Sequence, residues 1–150
     1  MTSALNRRLV TVPATWFITL ALIVLAPLAL PVLVVVDLLR ARPRLPLARG
    51  WVFGLAYGLL ESAMLVVVAG LWVLTGFGLA MSTRWAQRLH YSLQRWWVGR
   101  LLRLLEAVLG LRFSIEGIEA LRPGPVIVFG RHVSLVDTLE PATIATIGRA

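Results

Sequence analysis

The sequence predicts a membrane α-helical hairpin plus an amphipathic helix, followed by the start of an α/β domain that breaks off at Ala150. Three observations predict it. Hydrophobic residues fill 59% of the 150 positions and the mean hydropathy is +0.84, well above the apolar share of a soluble domain. Two long apolar runs occupy most of residues 1–82. After Gly110, helical spacing gives way to short β-branched runs bounded by turn residues.

Residues 9–36, LVTVPATWFITLALIVLAPLALPVLVVV, carry no charged side chain, and roughly 20 apolar residues suffice to cross the hydrocarbon core as a helix. A first transmembrane helix is expected over about residues 12–36. The competing reading, a secretory signal behind Arg7 and Arg8, would need an apolar region of only about 7–15 residues. Pro27 and Pro31 do not defeat the assignment, because membrane helices tolerate proline when neighbours satisfy the freed carbonyls. Residues 37–50, DLLRARPRLPLARG, are arginine-rich and broken by Pro43 and Pro46, so they read as a connector. A second transmembrane helix is expected over about residues 60–82. Glu61 then falls in its first turn near the interface, where the helix dipole favours a carboxylate.

A hairpin puts both of its ends on one side of the membrane. Arg7, Arg8, Arg84, Arg88, Arg95 and Arg100 outnumber Arg40, Arg42, Arg44 and Arg49 in the connector, so the ends are expected in the cytoplasm of a multi-pass protein of the cell membrane.

Residues 83–111 show helical spacing. Leu89, Leu93, Trp97, Leu101, Leu104 and Val108 line one face, and Arg84, Arg88, Arg95, Arg103 and Glu106 cluster on another. Tryptophans 85, 96 and 97 among these arginines suit a helix lying in the headgroup region as well as one packing on a neighbouring domain. His90 lies beside the apolar stripe and reads as structural.

All fifteen basic residues are arginine and there are seven acids, a formal net charge of +8. That charge suits anionic lipids or phosphorylated ligands. Nucleic acid is not an expected partner, because the arginines are dispersed along membrane flanks and not gathered on one soluble face. The absence of cysteine excludes disulfides, cysteine-ligated zinc and thiol catalysis. Two histidines are too few for a three-ligand metal site without carboxylates, and no metal or bound cofactor is expected.

After Gly110, LRFSIEG reads as a short strand, IEALRPGP as turns, VIVF as a buried strand, and a helix is expected from about Ser134, the start of an α/β portion expected over residues 112–150. His132 would leave the strand, Ser134 would cap the helix and Asp137 would lie in its first turn. Five residues along one helix turn the direction by about 500°, so a strand-to-helix junction is what lets Asp137 reach back to His132. A histidine held by a carboxylate through one ring nitrogen can act as a general base through the other. Ser134 and Asp137 also fit a capping box, in which both side chains satisfy only backbone N–H groups. On that alternative the chain is a non-enzymatic membrane anchor or interaction subunit.

The block GPVIVFGRHVSLVDTLEP, residues 124–141, resembles the first motif of the glycerolipid acyltransferases of the lysophosphatidate (1-acylglycerol-3-phosphate) acyltransferase type, in which a strand runs into Asn-His-x-Ser-x-x-Asp. His132, Ser134 and Asp137 fall on its His, Ser and Asp; Arg131 stands where the family has Asn. The resemblance implies His132 and Asp137 as catalytic residues in phospholipid biosynthesis. It implies an acyl thioester donor, acyl-CoA or acyl-carrier protein, and a lysophospholipid or glycerophosphate acceptor. The family's Phe-Pro-Glu-Gly motif has no counterpart before Ala150, so the substrate-binding residues are not assigned and the 150-residue chain is expected to carry an incomplete site.

Overall fold

The computed structural model describes residues 2–112. Within them the chain is helical: α1 (Thr2–Leu39), α2 (Pro46–Leu74), a 3-10 turn (Leu79–Ser82) and α3 (Arg84–Leu104), prolonged by a π turn (Leu105–Leu109). Two helices, Leu9–Leu39 within α1 and Pro46–Leu74, are long and apolar enough to cross a membrane. No strand occurs among the described residues. The α/β portion expected over residues 112–150 lies outside them, apart from its first residue.

The helix bounds differ from the sequence expectation, and capping explains the difference. The connector is short, about Arg40 to Leu45, because α1 ends in a Schellman motif. Arg42 donates its backbone N–H to the Asp37 carbonyl at 2.9 Å and Ala41 to the Leu38 carbonyl at 2.9 Å, with Ala41 left-handed at φ 52°. Pro46 then opens α2 at a position where its missing N–H costs nothing. The second helix therefore begins well before residue 60 and ends at Leu74, before residue 82. Its end is a second Schellman motif. Gly76 takes φ 64°, Phe77 donates its backbone N–H to the Trp72 carbonyl at 2.9 Å, and the Trp72 and Phe77 rings meet edge to face at 4.9 Å, the hydrophobic contact that accompanies such ends.

The first two helices pack antiparallel through small residues. Gly58 lies against Thr19, where a Cβ would come within 2.6 Å of the threonine hydroxyl, and Gly54 faces Leu22. Ser62 donates to the Thr19 hydroxyl at 3.5 Å. Thr15 and Thr19 return their own hydroxyls to carbonyls one turn back, at 2.9 Å and 2.8 Å, so they add no unpaired donor to an apolar helix.

The third helix runs back along α2. Arg49 donates Nε to the Val108 carbonyl, which joins the start of α2 to the end of the α3 unit. Twenty-four residues separate Arg84 from Val108 and twenty-five separate Arg49 from Leu74, so the paths match at roughly 36–38 Å. The segment from Thr75 to Thr83 joins their other ends, and Thr75 there is buried. Arg49 and Gly58 are two and a half turns apart, on opposite faces of α2. Hence α1 and α3 lie on opposite sides of α2, and the order is α1, α2, α3.

The buried stripe of α3 is Ala86, Val98, Leu101 and Leu105, with His90, Leu93 and Trp97 half-buried between them. Leu89, expected on that stripe, is 43% exposed. The helix is rotated so that the small Ala86, and not Leu89, begins the contact.

Candidate functional site

His132, Ser134 and Asp137, the residues that carry the expected chemistry, lie outside the described residues. Among the described residues, no group of three or more His, Asp or Glu side chains gathers to hold a metal. Polar chemistry within the described residues is concentrated at three places: the Asp37 joint, Glu61, and the outward face of α3.

Asp37 is completely buried. Its Oδ2 accepts the backbone N–H groups of Leu47 at 2.9 Å and Ala48 at 3.1 Å. The residue preceding Pro46 is Leu45, in the left-handed region and with no capping side chain, so the orphan N–H groups of α2 are satisfied by a carboxylate from α1. The sequence pattern does not reveal this, since an acid ten residues upstream matches no local capping motif.

Glu61 was expected in the first turn of the second helix. Because that helix starts at Pro46, Glu61 instead lies at its middle, with Oε2 buried and lacking a hydrogen-bond partner. Trp97 Nε1, Trp51 Nε1 and Asp37 Oδ1 are likewise buried without one. Eleven residues separate Val108 from Trp97 and Arg49 from Leu60, so the antiparallel register puts Trp97 near the level of Glu61. His90 pairs Nδ1 with the Ala86 carbonyl at 2.8 Å, one turn back on its own helix, and this fits a structural histidine.

The outward face of α3 has a regular arrangement. At 100° per residue, Arg84, Arg88 and Arg95 point within about 40° of one another, and Trp85, Trp96 and Arg103 form an adjacent row. Trp85 is 49% and Trp96 45% exposed. Arg100 sits over the Trp96 ring at 5.3 Å and Arg95 near the Tyr91 ring at 6.0 Å. Arg84, Gln87, Arg88 and Tyr91 line an open groove of about 320 Å³. Across α3 and its π turn, Glu106 is the one acid among five arginines.

No protein-family model, curated protein or solved structure matches the chain.

Proposed function

We propose that this chain is membrane-bound and serves glycerolipid acyl transfer, moving an acyl group from a thioester to the free hydroxyl of a lysophospholipid or glycerophosphate. The observation that carries the reading is the pattern His132, Ser134, Asp137 behind the strand-like VIVF run, in a chain whose preceding two helices are apolar enough for a bilayer.

His132 removes the acceptor's hydroxyl proton as that oxygen attacks the thioester carbonyl. The carbon–sulfur bond then breaks and the leaving thiolate takes the proton. Asp137 holds the tautomer of His132 and stabilises the imidazolium. A lysophospholipid acceptor and the acylated product are both lipids, so a site held at the bilayer shortens the path between them. The two helices are each long and apolar enough for the multi-pass arrangement with a cytoplasmic site that this reading expects.

The test is transfer of labelled acyl groups from acyl-CoA or acyl-carrier protein to lysophosphatidate by membranes containing the chain. His132→Ala should lower the rate about 10²–10⁴-fold, and Asp137→Asn should lower it without loss of the folded protein. Transfer by His132→Ala at the parent rate would leave the capping-box alternative, a membrane anchor, as the reading.

A further inference from the structure

We propose that the outward face of α3 is the seat of the chain's own residues 113–150, whose acids meet its arginines. This goes beyond acyl transfer and does not depend on it.

The face is shaped to receive a segment of chain. At 100° per residue, Arg88, Ser92, Arg95, Gly99 and Arg103 follow one another within about 80° down the middle of the outward side, so small residues alternate with arginines. Leu89 and Trp96, 43% and 45% exposed, stand along one flank and Tyr91 along the other. Ser92 and Gly99 thus form the floor of a shallow trough. A Cβ on Gly99 would meet nothing within 4 Å. Glycine is a poor residue for a helix interior, and at this position it leaves the backbone open to an approaching chain.

Charge selects the occupant. Residues 1–112 hold twelve of the fifteen arginines and only three of the seven acids. Asp37 is buried in the joint between α1 and α2, Glu61 lies midway along α2, and Glu106 continues the arginine row as its one acid. The remaining four acids, Glu116, Glu119, Asp137 and Glu140, all fall within residues 113–150. The first nine of those residues carry two acids and no base.

Connectivity selects the same occupant. Gly110, left-handed at φ 71°, ends the α3 unit. Arg103 and Arg95 lie about 10 Å and 22 Å back along the helix from that point. Glu116 and Glu119, six and nine residues past Gly110, reach up to about 20 Å and 30 Å on extended chain. Both arginines are within that range, and tethering presents the acids at an effective concentration on the order of millimolar. A lipid surface or a second copy also offers anions, but neither is joined to the end of the helix.

Because the chain has no cysteine, one thiol can report on the trough floor. Ser92→Cys, at an exposed position, is introduced into the full chain, which is held in micelles of an uncharged detergent without lipid. Its alkylation by an uncharged maleimide is timed against Ser82→Cys, in the exposed 3-10 turn. The Ser92 reporter is expected to react several-fold more slowly than the Ser82 reporter. Glu116→Arg with Glu119→Arg should raise its rate several-fold, Arg95→Glu with Arg103→Glu should do the same, and all four changes together should restore the slow rate. Gly99→Leu fills the trough without altering charge and should also raise the rate; it tests the same face if a charge-reversed variant loses helical content by circular dichroism. Equal rates at Ser92 and Ser82 in the parent chain would show a bare face and overturn the proposal. So would protection that survives both the charge reversals and Gly99→Leu, or that the combined variant does not restore. Protection that weakens on dilution of the protein would assign the face to a second copy, and protection that arises only on adding phosphatidylglycerol would assign it to lipid; either result overturns the internal seat.

Discussion

At the scale of the residue, Asp37 shows how one side chain can hold a joint between two helices. Its carboxylate is removed from water and receives two backbone N–H groups of α2, at 2.9 and 3.1 Å, while its own carbonyl closes the end of α1. Hydrogen bonds to a charged acceptor are worth about 1.5–3 kcal/mol each in favourable cases, and loss of a helix cap costs about 0.5–2 kcal/mol. Asp37→Ala is therefore expected to destabilise the hairpin by about 1–3 kcal/mol, read from the denaturant midpoint in detergent. Asp37→Asn should fall between the two. Its amide oxygen can still accept at the α2 start, but its NH₂ replaces an oxygen, Oδ1, that is buried without a partner. An alanine variant with an unchanged midpoint would remove Asp37 from the joint.

At the scale of the element, the pairing of α1 with α2 depends on the absence of a side chain at Gly58. A Cβ there would meet the Thr19 hydroxyl at 2.6 Å and the Thr19 Cβ at 3.4 Å, and Thr19 is pinned by its bond to the Thr15 carbonyl. Gly58→Ala is expected to cost about 1–3 kcal/mol by overpacking. Gly50→Ala, with nothing within 4 Å of its Cβ, should instead gain about 0.5–1 kcal/mol by removing a glycine from a helix interior. The two variants, compared by thermal melting, should move in opposite directions; shifts of the same sign would mean that Gly58 does not set the contact. The apolar helices themselves were legible in the sequence, since charge-free runs such as 9–36 need no tertiary information. Their ends were less so. By sequence alone Pro46 reads as a breaker inside a connector, whereas a proline at the first helical position begins a helix, and the cap at this start comes from Asp37 on the preceding helix. Glu61 follows the same rule, because a helix that starts at Pro46 carries it from the first turn to the middle. The stripe of α3 was legible except at Leu89, because periodicity fixes a face only to within about one residue. Nothing local tells an amphipathic helix which neighbour it will follow.

At the scale of the whole molecule, the decisive contact is the one that turns a hairpin and a separate helix into a three-helix unit. Arg49 reaches from the first turn of α2 to the Val108 carbonyl, and its guanidinium also closes on Gly110, where a Cβ would stand 3.0 Å from Nη2. Gly110 takes φ 71° there, the left-handed conformation that ends a helix and that glycine adopts without steric cost. The preceding turn has π-type pairing, a form that appears mostly as short bulges and leaves the local ladder weaker than an α-helix. The far end of α3 is thus held by a charged donor on a carbonyl, a bond worth about 1.5–3 kcal/mol. Arg49→Met keeps the aliphatic stem and removes the donor. It is expected to raise amide hydrogen exchange over residues 101–110 by about one to two orders of magnitude, the factor that such an energy implies for local opening, while leaving α1 protected. Arg103→Gln is the matched control, since Arg103 donates to Gly99 on its own helix and ties nothing to α2. If the two variants loosen the end of α3 equally, or if Arg49→Met leaves its exchange unchanged, Arg49 does not hold the unit together. The burial of Val98, Leu101 and Leu105 would then be what keeps α3 on α2.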